Sequence, residues 1–117
     1  MDIRITTGTA TLTGTLNDST AARDLAAMLP LTVALADFHD TEKIADLPRT
    51  LRTAGSPSGA AATIGDIADY APWGNLAIFY RDFPHAAGLV VLGHIDDPLD
   101  ALPGTESDQA VTIAAVA

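Results

Sequence analysis

The chain has 117 residues, six Lys or Arg against fifteen Asp or Glu, a formal charge of −9 and no cysteine. That length suits one domain, residues 1–117, able to bury roughly two-thirds of its unfolded surface without a metal or disulfide staple. The composition excludes disulfides, thiolate nucleophiles, Cys-ligated zinc and iron–sulfur clusters, and the acidic balance repels nucleic-acid backbones and anionic membrane surfaces.

Residues 2–7 alternate, with Ile3 and Ile5 on one side and Arg4 and Thr6 on the other; residues 10–16 repeat the pattern with Leu12 and Leu16. A period of two rich in β-branched residues predicts half-buried strands. Thr7-Gly8-Thr9 turns them into a hairpin. In "NDSTAARDLAAMLP", Asp18 or Ser19 can cap a helix, and Ala21, Ala22, Leu25, Met28 and Leu29 fall at helical spacing. A helix over about 19–29 is expected, ended by Pro30, which forces residue 29 out of helical dihedrals.

The period returns to two from Leu31. "DFHDTEK" reads as a polar turn and "KIADLP" as a short edge or loop. Residues 49–63, "RTLRTAGSPSGAAAT", lack large apolar groups and read as a long surface loop with room for one helical turn at its start. "IGDIADYA" gives a turn at Gly65-Asp66 and a strand from Ile67. "LAIFY" is a continuous apolar run, the mark of a strand covered on both faces. "GLVVLGHI" is another strand, "DDPLDALPG" a loop with space for a helical turn, and "AVTIAAVA" a last strand. Seven or eight short strands and one helix favour an all-β antiparallel barrel or sandwich over a parallel sheet, and a barrel also removes exposed edges. No apolar run is long enough to span a bilayer, and the start of the chain lacks a basic-then-apolar leader, so a cytoplasmic location is expected.

Residues 69–83, "DYAPWGNLAIFYRDF", hold the only Trp, both Tyr and two of the three Phe of the chain. Either they are core, or some of them wall a pocket. Trp73 packs on a barrel rim or forms an aromatic wall for a ligand. Alternation puts Leu76, Ile78 and Tyr80 on one face and Ala77 and Phe79 on the other, with Phe79 facing into the barrel or, on the reverse assignment, outward. Arg81 either anchors a carboxylate or peptide carbonyl beside these rings or pairs with Asp82 or Asp69.

Other clusters are weaker. "GHIDD" places His94 and Asp96 on one strand face, where Asp96 could hold the imidazole in one tautomer; a histidine that merely ends the strand is the competing reading. "DFHDTE" gathers Asp37, His39, Asp40 and Glu42, hard ligands for calcium or magnesium, but lacks the EF-hand pattern and reads as a solvated acidic turn. A zinc site would need His39, His85 and His94 to converge. Ser56, Ser58 and Ser107 lack a nucleophile elbow, and the long loop lacks a phosphate-binding glycine pattern. Arg49 and Arg52 form an anion site or pair with neighbours such as Asp46. No metal or cofactor is expected.

The segments "LPLTVALADF", "GDIADYAPWGNLAIFY" and "LGHIDD", in this order across nearly the whole chain, resemble the bacterial cyclophilin-like family of small, largely uncharacterised proteins. The resemblance implies a closed, roughly eight-stranded cyclophilin-like β-barrel with helical cover, and a flavodoxin-like partner, since some such domains occur beside flavodoxin-like ones. True cyclophilins are peptidyl-prolyl isomerases with a phenylalanine-histidine-arginine run and a glutamine-glycine-glycine-aspartate stretch. Here Phe38-His39-Asp40 carries aspartate where the arginine should stand, and Gln109 is the only glutamine. The group that stabilises the twisted prolyl amide is thus missing.

The expectation is a non-catalytic module that binds a peptide segment or small ligand. Phe38, Trp73, Phe79 and Tyr80 would be its aromatic walls, Arg49 and Arg81 its polar anchors, and His94 a pH-sensitive hydrogen bond. The enzymatic alternative is a weak prolyl isomerase polarised by Arg81 or Arg49.

Overall fold

A computed structural model describes residues 1–8, 10–38, 41–99 and 109–116. Their strands are β1 (Asp2–Thr6), β2 (Thr11–Leu16), β3 (Leu31–Phe38), β4 (Glu42–Asp46), β5 (Gly59–Ala62), β6 (Asp66–Tyr70), β7 (Asn75–Phe79), β8 (Phe83–Ala87), β9 (Leu89–Ile95) and β10 (Gln109–Ala115), with one helix, α1 (Thr20–Ala26). Eight strands close a barrel in the order β1-β10-β3-β4-β7-β6-β9-β2, and β5 pairs with β8 in a separate ribbon. Every pairing is antiparallel.

Residues directly opposite on paired strands share a face, so the register separates inside from outside. Ile3, Ile5, Leu12, Val33, Leu35 and Ile113 fill the interior with Ile67, Leu76, Ile78 and Leu92. The closure between β2 and β9 rests on three pairs, Gly14↔Ile95, Thr15↔His94 and Leu16↔Gly93. Here a side chain does not fit: a Cβ on Gly93 would lie 2.2 Å from the Thr15 carbonyl oxygen. The β6–β9 register also slips at this point, from Ile67↔Gly93 to Ala68↔Val91. The slip is a bulge, and it lets Leu92 and Ile95, three apart, both face the core while His94 points out.

One barrel end is covered by α1. The Ser19 hydroxyl oxygen accepts from Ala22 N at 3.1 Å, and Ala21, Ala22 and Leu25 are buried. The helix is shorter than the 19–29 expected. Met28 N and Leu29 N bond back three residues, to the carbonyls of Leu25 and Ala26, so the last turn tightens before Pro30.

Residues 49–63 are not all loop. Gly59–Ala62 is a strand, registered on β8 as Gly59↔Ala87 and Ala62↔Phe83, and no helical turn precedes it. "KIADLP" begins with a strand that is no edge: β4 is paired on both sides, by β3 and β7. Alternation could not signal either strand, because both are short and β5 is nearly all alanine. The ribbon lies against the outer wall of the barrel, where Ala62, Ala68, Ala77, Phe79 and Leu89 form a second buried cluster with Phe83 and Ala86 packed on it. This explains the unbroken apolar run of β7: Leu76 and Ile78 face inward, Ala77 and Phe79 face the ribbon. Of "DDPLDALPG", residues 100–104 lie outside the described residues. No described helix is long and apolar enough to cross a membrane.

Candidate functional site

Between the outer wall and the ribbon lies a cavity of about 170 Å³, lined by Phe38, Glu42, Ile44, Tyr70, Trp73, Asn75, Phe79, Phe83, Ala86 and Leu89. Its floor follows from the register: Glu42 opposes Phe79 and Ile44 opposes Ala77, so all four share the outer face. Phe38 comes from the end of β3, opposite Glu42. Phe83 of β8 meets Phe79 with ring centroids 5.7 Å apart. Trp73 stands edge-on to both Phe38, at 5.7 Å, and Tyr70, at 5.0 Å.

Trp73 is 59 % exposed, yet its turn is tied down. The Tyr70 carbonyl accepts from Trp73 N at 3.1 Å and Gly74 N at 3.0 Å. With its amide turned so that oxygen and nitrogen match their neighbours, the Asn75 side chain donates to Asp46 Oδ1 at 2.9 Å and to the Trp73 carbonyl at 3.2 Å. Pro72 presses on the β8–β9 turn so closely that a Cβ on Gly88, whose φ is +83°, would lie 2.6 Å from the proline ring. The ring that faces solvent is therefore presented on a fixed loop, as pre-organised binding surfaces are.

Among the described residues, one charged side chain lines the cavity. Glu42 is only 8 % exposed, its carboxyl has no hydrogen-bond partner among the described residues, and burial pushes its pKa upward. The segment "DFHDTE" thus does not form a solvated turn throughout: Asp37 and Glu42 lie in strands, while His39 and Asp40 fall outside the described residues. Among the described residues no three His, Asp or Glu converge as a metal set.

The expected site residues divide. Phe38, Trp73 and Phe79 meet at the cavity. Tyr80 follows Ile78 on the inner side, and its hydroxyl donates to Asp37, which also lies 3.7 Å from Lys43 Nζ. The Arg81 guanidinium sits 5.9 Å from the centre of the Tyr80 ring, outside the cavity lining. Arg49 is not paired with Asp46. Its two terminal nitrogens donate to the Asp24 carboxylate at 2.7 Å each, and Arg52 N donates to the same carboxylate at 2.8 Å. The Arg49 bond and the Arg52 amide hold the Asp24 pKa down at about 2 and fasten the segment after β4 to α1. His94 is held by Asp66 rather than Asp96: its Nδ1 donates to Asp66 Oδ1 at 3.0 Å. Asp96 and Asp97 instead accept from the hydroxyls of Thr15 and Thr13, tying β9 to β2.

Several lining groups were not among the expected site residues. Tyr70 and Phe83 lie in the aromatic stretch 69–83 and were legible there in principle. Glu42 stood out only as one acidic residue of "DFHDTE", since nothing in "DTEKIAD" says that it is buried.

These features define a small closed antiparallel β-barrel protein with an aromatic recess on its outer wall. The chain belongs to the cyclophilin-like family, whose sequence model matches residues 5–114. Its fold is similar to the solution structure of a hypothetical protein from Archaeoglobus fulgidus, at 19 % identity and a TM-score of 0.67, covering 99 % of this chain and 95 % of that one. No curated protein matches the sequence.

Proposed function

We propose that this protein is a non-catalytic binding module that holds a peptide segment or a small ligand in the cavity between the barrel wall and the β5–β8 ribbon. The observation that carries the reading is the convergence of five rings, from Phe38, Tyr70, Trp73, Phe79 and Phe83, on one recess whose most exposed ring is fixed by its own turn. Concave apolar sites with a few placed polar groups are where ligands bind. A volume of about 170 Å³ matches the roughly 150 Å³ that accepts one benzene molecule. The recess thus suits a single ring or a branched group, including the side chain of a proline.

Prolyl isomerisation is the alternative activity. It calls for a cationic or other strong donor aimed at the twisted amide, and the cavity lining contains no arginine among the described residues.

Trp73 is the only tryptophan, so its fluorescence reports the cavity alone. Titration with N-acetylproline methylamide and with cyclohexanol is expected to give a saturable change for at least one of them. The Ala86→Phe variant, which fills the recess, is expected to lose it. A flat response of the folded native protein to both of these probes and to choline contradicts the reading. In a coupled proline-isomerisation assay the protein should not exceed a heat-inactivated sample; a rate above that, lost in Arg81→Ala or Arg49→Ala, would establish the alternative.

A further inference from the structure

The cavity contains a feature that a purely apolar ligand does not explain. Glu42 stands on its floor beside Phe79, more than nine-tenths buried, with no partner for its carboxyl among the described residues. A neutral apolar occupant would strip the last water from that carboxylate and leave a buried charge unpaired, which is among the more costly things a site can do. An anion would add repulsion to the same cost. A hydrated inorganic cation would need several oxygen ligands, and the other side chains of the recess are rings, aliphatic groups and Asn75, whose amide nitrogen already serves Asp46 and the Trp73 carbonyl.

An organic cation with an apolar skirt resolves the conflict. Its charge is spread over methyl or methylene groups, so it loses little hydration on entering an apolar recess. It is attracted by the negative faces of aromatic rings, and aromatic cages around quaternary ammonium groups use this force. It also offsets the charge of Glu42. The net charge of −9 adds a favourable long-range field for its approach.

Resting on the binding-module reading above, we propose that the occupant of this cavity is a small organic cation, its alkylated ammonium head enclosed by Tyr70, Trp73, Phe38 and Phe79 and paired with Glu42. The head could be borne by a free small molecule or by a methylated lysine side chain, and the two share the same chemistry at the recess.

The test is a set of titrations of the full chain followed by ¹H–¹⁵N spectra. The probes are choline, its neutral isostere 3,3-dimethylbutan-1-ol, Nα-acetyl-trimethyllysine methylamide and N-acetylproline methylamide. Choline or the trimethyllysine amide is expected to bind at least tenfold more tightly than the neutral isostere, with shifts at Glu42, Gly74 and Phe79; whichever of the two is tighter assigns the source. Glu42→Gln keeps the shape of the recess and removes the charge, so it is expected to erase the tenfold preference. Asp2→Asn, an exposed charge on β1 outside the cavity, should leave the preference unchanged. Equal or tighter binding of the neutral isostere, or an unaltered preference in Glu42→Gln, overturns the cation inference while the binding module stands. Absence of binding by all four probes overturns both.

Discussion

Asp69 has its whole side chain inside the barrel. It opposes Leu76 and Val90, both core residues, has no exposed surface, and neither carboxylate oxygen has a partner among the described residues. Burial pushes its pKa up from 3.8 to about 6. The folded chain therefore keeps a proton that the unfolded chain releases between about pH 4 and pH 6, and by linkage stability falls as pH rises through that window. Two pH units correspond to about 3 kcal/mol, fully felt at pH 8 and absent near pH 3. Asp24 works in the opposite sense: held at about 2 by Arg49 and the Arg52 amide, it contributes stability above pH 4 that is lost on strong acidification. Asp69→Asn isolates the first effect. In urea unfolding it should be more stable than the native chain by about 2–3 kcal/mol at pH 8, with the gap closing toward pH 4. A gap that does not change with pH would show that the Asp69 charge is not what costs stability.

Among the elements, the β5–β8 ribbon is the one that makes the site, and it is the least secured. It is two short strands, Gly59–Ala62 and Phe83–Ala87, with one face packed on the barrel and the other in water. Isolated two-stranded ribbons are marginal, and thinly packed elements open first. Amide hydrogen exchange should therefore be at least tenfold faster in the ribbon than in β7 at neutral pH; equal protection would mean that ribbon and barrel open as one unit. Phe83→Ala should cost about 2 kcal/mol, half the usual penalty for a core phenylalanine because the ring is half-buried. The ribbon is also where the sequence was hardest to read. Barrel strands such as Ile3–Ile5 and Leu31–Leu35 declare themselves by alternating large apolar and polar residues. "GAAA" and "FPHAA" do not, since their pairing is made by the backbone and their burial by small side chains. The same reason hid half the site: Phe38, Trp73 and Phe79 stood out as scarce rings, whereas Glu42 became notable only when the register put it beside Phe79. Arg49 was singled out as a scarce cation beside the long loop, Tyr80 as a ring of the aromatic stretch and His94 for its spacing to Asp96, and the fold gives them carboxylate partners away from the recess, namely Asp24, Asp37 and Asp66.

The whole molecule depends on closure. The barrel seam between β2 and β9 has only three paired positions, and the bulge beside Gly93 both shortens it and turns His94 outward. Gly93→Ala would drive a methyl group into the Thr15 carbonyl, and overpacking of this kind should cost about 3 kcal/mol. If thermal unfolding of this variant matches that of the native chain, the seam is not the tight junction described. A closed barrel in turn makes a rigid wall on which the rings and Glu42 can be set at fixed spacing, and that is the basis for proposing that its outer face binds a ligand. The most direct measurement is the ¹H–¹⁵N map of the native protein with choline and with cyclohexanol. The account predicts that the shifts concentrate on Glu42, residues 70–75, Phe79 and residues 83–86. Shifts gathered instead around α1 and Arg49, or scattered over the barrel, would contradict it.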